Sequence, residues 1–465
     1  MNQLESASLI DEARISALLA DRDTSAQRVR EALDRALELK GLSPEDVVAL
    51  MNVSDPELMG EIFEAARSVK DTIYGPRLVM FAPLYISNLC YNECTYCAFR
   101  AKNKDLKRRA LTQEEIAREI KILIEQGHKR VLLVAGEAYP NEGLSYILKA
   151  IKTIYSVKSG NGEVRRVNAN IAPLSVDEFK ALKETGIGTY QLFQETYQRE
   201  TYTRVHLGGV KRNYDWRVTA MDRAMTAGIN DVGIGVLFGL ADWRFEVLAL
   251  LQHIKHLEDE FGVGPHTISV PRLEPASGSD LAEHPPHAVS DIDFRRIVAI
   301  MRLAVPYTGI IMSTRETPNI RRETFALGVS QISAGSRTSP GGYDQAVDPN
   351  DKAQFSLGDH RDLDEVVRDV ASLGYIPSFC TACYRLGRTG QDFMDLAKPG
   401  EIKCHCDPNA LSTFMEYLID YATPETRKVG EETINRRLAS MDAQQQHVSK
   451  TLLARVRSGK RDVFV

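Results

Sequence analysis

Eight short apolar runs alternate with amphipathic segments, and this alternation limits the possible folds more than any other feature. The runs cover residues 79–86, 131–135, 167–171, 189–193, 232–238, 267–270, 309–312 and 330–334. Helix patterns lie between them, including a capping box at Thr112-Gln113-Glu114-Glu115 and a long run over 243–261. Eight strand and helix units over roughly 260 residues predict an α/β protein built as a closed (βα)8 TIM-type barrel. Functional groups are then expected on the loops after the strands.

Two regions flank the predicted barrel. Residues 1–75 are rich in Ala, Leu, Glu and Arg and predict helices around 10–19, around 25–39 and from Ser43 onward. After Arg337 the sequence turns to Gly, Pro and Asp before a further segment begins. We therefore expect an N-terminal helical extension over 1–75, the barrel over 76–340 and a mainly helical C-terminal domain over 341–465.

Charge and hydropathy exclude several classes of partner. The 465 residues carry 58 Lys and Arg against 63 Asp and Glu, a net charge of −5. Such a chain has no overall basic field for nucleic acid or anionic lipid, so neither is expected as a main partner. The first ten residues lack a signal-peptide pattern, and no run of 18 apolar residues occurs. We expect a cytoplasmic protein.

Seven cysteines fall into two groups, a distribution that favours metal ligation over disulfides. Cys90, Cys94 and Cys97 form a CxxxCxxC run directly after the first predicted strand. Three thiolates at this spacing can bind three irons of one 4Fe-4S cluster and leave the fourth iron open. A zinc site is the alternative, although it normally needs a fourth ligand and none is apparent.

The second cysteine group lies in the C-terminal region. Cys380, Cys383 and Cys406 form a CxxC-x22-C pattern, which supplies a second thiolate triad for another cluster. Cys404 is an alternative third ligand, in a CxxC-x20-C pattern. The four cysteines, with His405 as a further candidate, are also compatible with a structural zinc site.

The first cysteine triad, with Tyr96 before its last cysteine, resembles the signature of the radical S-adenosylmethionine (SAM) superfamily. The resemblance implies that SAM binds the open iron of the cluster and is cleaved by one electron to methionine and a 5'-deoxyadenosyl radical. Gly136-Glu137, after the second predicted strand, is similar to the element that holds the SAM amino group. A carboxylate suits an ammonium group, although a Gly-Glu pair also fits an ordinary turn.

Further motifs resemble the aromatic amino acid lyase branch of that superfamily. They are Gln194-Glu195-Thr196-Tyr197, Ser313-Thr314-Arg315-Glu316, Ser333-Ala334-Gly335-Ser336-Arg337 and the stretch 354–361. Arg315 is the candidate for binding the substrate carboxylate, because a guanidinium pairs with it bidentately. A structural ion pair between Arg315 and Glu316 or another carboxylate is the equal alternative. Asn170, Glu195 and Ser333 are further candidates by position, with ordinary strand-end hydrogen bonding as their alternative.

This branch includes a tyrosine lyase of thiamine biosynthesis and a tyrosine lyase that matures iron-only hydrogenase. The C-terminal cysteines favour the second, which is expected to carry a second cluster, and the stretches 384–390 and 406–409 resemble it too. The resemblance implies two 4Fe-4S clusters and an additional iron held by His266, with His253 and His256 as fallback candidates. Taken alone, a histidine at a strand start is more often an ordinary hydrogen-bonded residue.

The same resemblance implies the reaction and its partners. L-Tyrosine is cleaved between Cα and Cβ to p-cresol and dehydroglycine, which yields carbon monoxide and cyanide at the second cluster. An electron donor such as flavodoxin or ferredoxin and the other hydrogenase maturases are the implied partners. Three alternatives remain open: a thiamine-pathway 2-iminoacetate synthase with an incidental metal site, a non-catalytic zinc scaffold, and a radical SAM enzyme acting on tryptophan.

Overall fold

The computed structural model describes residues 9–140, 142–344 and 353–465, so the first eight residues of the expected N-terminal extension lie outside the described part. The described strands are β1 Arg77–Ser87, β2 Arg130–Ala135, β3 Lys158–Ser159, β4 Gly162–Glu163, β5 Arg166–Asn170, β6 Tyr190–Gln191, β7 Val232–Gly235, β8 Thr267–Ser269, β9 Gly309–Met312, β10 Val329–Ser333 and β11 Ile376–Ser378. Except for the small β3–β4 hairpin, all belong to one parallel sheet. β10 pairs with β1, which closes the sheet and confirms the eight-stranded barrel.

Helices surround the barrel and form both flanking regions. Those described are α1 Glu12–Ala20, α2 Ala26–Leu37, α3 Pro44–Met51, α4 Pro56–Ile73, α5 Gln113–Glu125, α6 Leu144–Ser156, α7 Val176–Lys183, α8 Arg199–Val205, α9 Tyr214–Val218, α10 Ala220–Thr226, α11 Trp243–Phe261, α12 Asp280–Glu283, α13 Asp291–Ala304, α14 Pro318–Leu327, α15 Leu363–Ser372, α16 Ala382–Arg385, α17 Gln391–Ala397, α18 Lys403–Asp420, α19 Pro424–Ala439 and α20 Ala443–Arg457. A 3₁₀ turn covers Val210–Arg212. Within the described ranges, no helix is both long enough and apolar enough to cross a membrane.

Local sequence signals explain where several helices begin and end. The capping box predicted at Thr112 is present, since the Thr112 hydroxyl accepts from the backbone of Glu115 and the Glu115 carboxylate accepts from the backbone of Thr112. α11 covers the predicted range 243–261; it begins after the Asp242 cap and ends at Gly262, which is in the left-handed conformation. α4 was not predicted, although Asp55 caps it and proline occupies its first position.

Two parts of the barrel differ from the predicted pattern. The fourth strand, expected over 189–193, is only the pair Tyr190–Gln191. The chain continues to Glu195, which has a φ of 71° and makes an isolated bridge to Val236. A non-glycine residue in this region is strained and needs its surroundings to hold it. The helix expected from Asp215 is divided at Thr219 into α9 and α10.

The C-terminal region adds a ninth strand to the barrel sheet. β11 pairs in parallel with Arg77–Val79 of β1, and β2 pairs with β1 only from Ala82 onward. β10 also pairs at Val79, so it must use the other edge of β1. β11 therefore occupies the part of the β1 edge that β2 leaves free. Because Cys380 follows two residues after β11, this pairing places the second cysteine group at the start of the barrel strands.

Candidate active site

The barrel has a cavity at each end. The upper cavity, at the carboxyl ends of the strands, has an empty volume of about 1350 Å³ when the solvent space at its mouth is included. The lower cavity, at the strand starts, has about 600 Å³. Four strands contribute to both cavities with residues two positions apart: Val79 and Phe81, Arg130 and Leu132, Gly309 and Ile311, Gln331 and Ser333. Two residues span about 7 Å of a strand, so the cavities lie one layer of side chains apart.

Cys90, Cys94 and Cys97 all line the upper cavity. Their loop is held against the last residue of α8, because the Thr95 amide donates to the Val205 carbonyl over 2.9 Å. Burial raises the pKa of all three thiols, that of Cys90 to about 11. Buried thiols that face one space suit a cation, which replaces their protons on binding. The donor set therefore fits an iron-sulfur cluster.

Gly136 lies against the loop that carries these cysteines. A Cβ at this position would be 2.2 Å from the Leu89 carbonyl oxygen, far inside van der Waals contact. The Gly136 amide also donates to the Ser87 carbonyl over 2.8 Å. The glycine of the Gly-Glu element is thus required by the close approach of two backbones, a role that the sequence alone did not reveal.

Replacing Gly136 with alanine is expected to destabilise the protein by about 1–3 kcal/mol, the usual cost of an added methylene in a packed site. The obstacle is a carbonyl of the cysteine loop, so iron content after reconstitution should fall as well. Urea unfolding and iron analysis test this. Gly60→Ala in α4 is the matched control, because its new methyl group meets nothing within 4 Å. Equal stability of the two variants would contradict the proposed close approach.

Two buried cations and two partly buried carboxylates stand beside the cysteines. Arg217 donates to Glu137 Oε1 over 2.9 Å, and Lys211 Nζ donates to Glu195 Oε1 over 2.6 Å. Asn92 Nδ2 donates to the second Glu137 oxygen over 2.7 Å. Burial opposes ionisation of Glu137, but Arg217 and Lys211 outweigh it and hold the pKa of Glu137 below its usual range. Both signs of charge therefore line the upper cavity.

Arg315 lines the upper cavity without an ion pair. Its guanidinium lies 3.3 Å from the centre of the Phe355 ring, and among the described residues no carboxylate comes within 4 Å of it. The Glu316 carboxylate, the alternative partner, instead accepts from Arg272 Nε over 2.9 Å. Burial raises the pKa of the nearby Glu274 carboxyl to about 7, with Glu316 adding to the effect. Arg315 is thus a cation available to a bound anion.

The other predicted residues of the upper site all line the same cavity. Tyr96 is buried, and its hydroxyl is 2.9 Å from His206 Nε2. Ser333 Oγ accepts from the Thr314 amide over 3.1 Å. Asn170 ends β5 and is half-buried. Tyr96 and Ser333 therefore have structural contacts besides any contact with a ligand.

The lower cavity brings together Cys380, Cys383, Cys406 and His266. Cys404 is exposed and does not line it. The interaction between the Cys383 and Cys406 thiols lowers the pKa of Cys383 and raises that of Cys406. Three thiols and one imidazole around a single space form a donor set that suits iron.

The His266 side chain is 11% exposed in this cavity. Its Nδ1 atom has no hydrogen-bond partner among the described residues and lies 3.9 Å from Asp231 Oδ2. Burial lowers the pKa of His266 and keeps the imidazole neutral, which is the form that binds metals. The fallback histidines lie elsewhere: His253 Nδ1 is 2.7 Å from the Tyr197 hydroxyl, and His256 Nε2 is 2.6 Å from Asp222. His405 does not line the cavity either.

Sequence reasoning missed several charged residues of both cavities. In the lower cavity they are Arg77, Arg130, Arg388 and Asp231, and in the upper cavity Lys211, Arg217 and Glu274. Arg130 immediately precedes an apolar run, so a basic residue at the head of a predicted barrel strand was a usable signal. Lys211 and Arg217 lie in a polar stretch between strands and carried no such signal. Within the described residues, no three His, Cys, Asp or Glu side chains are placed so that all of them could bind one metal ion.

Two models of known protein families match the barrel and its flanking residues. The model of the radical SAM superfamily matches residues 84–251, and that of the biotin and thiamin synthesis associated domain matches 269–376. The chain is 31% identical to 2-iminoacetate synthase of Escherichia coli K12 over 360 residues, which cover 77% of this chain and 92% of that protein.

Two solved structures extend the likeness to nearly the whole chain. One is a crystal structure of HydG, a maturase of the [FeFe]-hydrogenase, with 48% identity and a TM-score of 0.95 over 99% of this chain and 100% of that one. The other is HydG from Carboxydothermus hydrogenoformans, with 41% identity and a TM-score of 0.83 over 95% and 97% of the two chains.

Proposed function

Because the chain belongs to the radical SAM superfamily, in the branch of the 2-iminoacetate synthases and HydG maturases, we propose that it cleaves L-tyrosine for [FeFe]-hydrogenase maturation. The products of the cleavage are p-cresol and dehydroglycine, and dehydroglycine then yields carbon monoxide and cyanide. Superfamily membership implies one 4Fe-4S cluster and SAM. The observation that carries the full proposal is the pair of thiol triads lining cavities at opposite ends of one barrel.

In the upper cavity, Cys90, Cys94 and Cys97 hold the SAM-binding cluster. When bound, that cluster supplies the electron that cleaves SAM to methionine and a 5'-deoxyadenosyl radical. Glu137 attracts the SAM ammonium group, and its contacts to Arg217 and Asn92 fix the carboxylate in place. Because the Glu137 carboxylate is already fixed, it loses no side-chain freedom when it binds SAM, and this favours one orientation of the SAM ammonium group.

Arg315 binds the tyrosine carboxylate in the same cavity. Its guanidinium is already fixed against Phe355 and has no competing carboxylate within 4 Å in the described part of the chain. Glu274 faces the same space and can attract the tyrosine ammonium group when ionised. Holding both ends of the amino acid presents its nitrogen for hydrogen abstraction. The Cα–Cβ bond then breaks to dehydroglycine and a 4-hydroxybenzyl radical, which takes up one further electron from the external reductant and a proton to become p-cresol. The surrounding barrel excludes water from the radical.

In the lower cavity, Cys380, Cys383 and Cys406 hold a second 4Fe-4S cluster, and His266 holds an additional iron beside it. The atoms of dehydroglycine equal those of carbon monoxide, hydrogen cyanide and water, so no other reactant is needed. Arg77, Arg130 and Arg388 outnumber Asp231, the one carboxylate in the described lining of this cavity, and therefore favour the carboxylate of the incoming fragment. We place this chemistry in the cytoplasm, where thiols remain reduced, with the other hydrogenase maturases as recipients of the product.

The first test is anaerobic reconstitution followed by metal analysis and electron paramagnetic resonance. We expect iron and sulfide for two clusters, of which only one changes its signal when SAM is added. Reduced enzyme with SAM and L-tyrosine should then form p-cresol and 5'-deoxyadenosine. L-Tryptophan in place of tyrosine is the control and should give no indolic cleavage product. Colourless protein with stoichiometric zinc and no SAM cleavage would refute the proposal.

A further inference from the structure

Three apolar side chains stand exposed on the outside of the upper site. Tyr91, Val210 and Leu207 are 69%, 64% and 55% exposed, the highest values among the large hydrophobic residues of the described ranges. Isolated exposed hydrophobic residues need no explanation, but a contiguous group indicates an interaction site. We call these three residues the loop patch.

The members of the loop patch are neighbours in space. The cysteine loop and the segment after α8 run antiparallel, with the Leu207 amide donating to the Glu93 carbonyl over 2.8 Å. At Gly209 the two backbones approach so closely that a Cβ would lie 2.7 Å from the Tyr91 carbonyl oxygen. The backbone at Tyr91 therefore lies directly beside the segment 207–210. Hydrogen-bonded backbone fixes the patch in an exposed position.

The loop patch covers the outside of the cluster-binding loop. Tyr91 directly follows Cys90, and the buried side of the same two segments presents Cys94 and Lys211 to the upper cavity. A protein bound to the patch would be one loop thickness away from the three thiols. It would not need to enter the cavity, which SAM and the substrate occupy in the proposed function.

Positive charge surrounds the loop patch. Residues 91–108 and 199–213 contain nine Lys and Arg against three Asp and Glu, whereas the whole chain is acidic at −5. Adding Asp280 and Glu283 of the adjacent α12 raises the acidic count only to five. Exposed basic residues without a carboxylate within 4 Å in the described ranges are Lys102, Lys104, Lys107, Arg204 and Arg212. The local charge is therefore opposite to that of the molecule.

We propose that the loop patch docks an acidic protein that carries a one-electron redox group and delivers its electron through the cysteine loop. This inference rests on the proposed radical SAM reaction. Reductive cleavage of one SAM molecule consumes one electron, and the partner is oxidised by one electron as it supplies it. An apolar centre with a charged rim suits a brief, small-area electron-transfer contact. The rim accelerates encounter through attraction of opposite charges, and the apolar centre holds the complex once it forms.

The test measures binding of an acidic flavodoxin to the full, reconstituted protein by calorimetry at low and high salt. Arg204→Glu/Arg212→Glu should weaken binding about tenfold or more at low salt and flatten its salt dependence. Leu207→Ser/Val210→Ser should weaken binding about tenfold at both salt concentrations, because it removes apolar contact area. Lys450→Glu on α20 and Leu37→Ser on α2 are the matched controls, since both residues are exposed and distant in the chain.

A second readout separates this inference from the proposed function. With dithionite as reductant, all four variants should cleave SAM and tyrosine as the parent protein does, because the small reductant needs no docking surface. With reduced flavodoxin, only the two patch variants should be slow. Patch variants that bind flavodoxin like the controls would overturn the docking surface while leaving the lyase reaction intact. Absence of p-cresol from the parent with dithionite would instead overturn the proposed function, and the docking inference with it.

Discussion

The double variant Cys380→Ser/Cys383→Ser is expected to form p-cresol at close to the parent rate while releasing no carbon monoxide. Both cysteines line the lower cavity, and the upper cavity is built from other residues of the barrel. Serine keeps the shape of each side chain but is a poor ligand for iron, so the second cluster should not assemble. Chromatography measures p-cresol, and trapping on reduced myoglobin measures carbon monoxide.

The chain provides a matched control for this variant. Cys404→Ser changes an exposed cysteine of the same region that does not line the cavity, and it should preserve both products. If the double variant loses p-cresol together with carbon monoxide, the two cavities do not act separately. If Cys404→Ser abolishes carbon monoxide, the third ligand is Cys404, and the position of Cys406 in the cavity has no functional meaning.

Arg315→Met is expected to lower kcat/KM for tyrosine about 100- to 1000-fold, which corresponds to the few kcal/mol lost when a buried charge is left without its partner. Methionine fills similar space but leaves the substrate carboxylate without a counter-charge. Arg315→Lys should recover part of the loss, because it restores the charge without the bidentate geometry. Steady-state kinetics with tyrosine, beside SAM binding measured by equilibrium dialysis, distinguishes substrate binding from general damage.

Arg322→Met provides the comparison for Arg315. Arg322 lies on the outer side of α14, is 41% exposed and pairs with Asp369, so its loss should leave tyrosine kinetics unchanged. Unaltered kcat/KM in Arg315→Met would remove Arg315 from the substrate site. A loss of SAM binding equal to the loss of tyrosine turnover would show that Arg315 acts on the cofactor instead.

The barrel was predictable because its pattern is repeated eight times. The prediction depends only on the alternation of each apolar run with a helix. An error in the predicted bounds of one strand therefore does not change the predicted number of strands. The C-terminal strand β11 was not predictable in this way, because Ile376–Ser378 is three residues long and contains a proline. Its pairing depends on the free edge of β1, which is a property of the closed barrel and not of the local sequence.

The thiols of both sites could be found from spacing, because metal ligation requires fixed residue types at short intervals. The charged residues around them could not. Lys211 and Arg217 lie beyond β6 in a polar stretch, and only the fold turns them towards Glu137 and Glu195. Likewise, the sequence left two equal roles for Arg315, binding of the substrate carboxylate and an ion pair with Glu316 or another carboxylate. In the structure Glu316 pairs with Arg272 of a neighbouring loop, so the pairing with Glu316 is not formed.

The pairing of β11 with β1 has a consequence for aggregation. Without residues from Ile376 onward, the backbone groups of Arg77–Val79 would have no partner on one edge, since β2 begins its pairing only at Ala82. Unpaired strand edges are templates for association between molecules. A chain emerging from the ribosome therefore carries an open edge on its barrel until β11 has been synthesised. The segment that brings Cys380 to the lower cavity thus also protects the nascent barrel from intermolecular strand pairing.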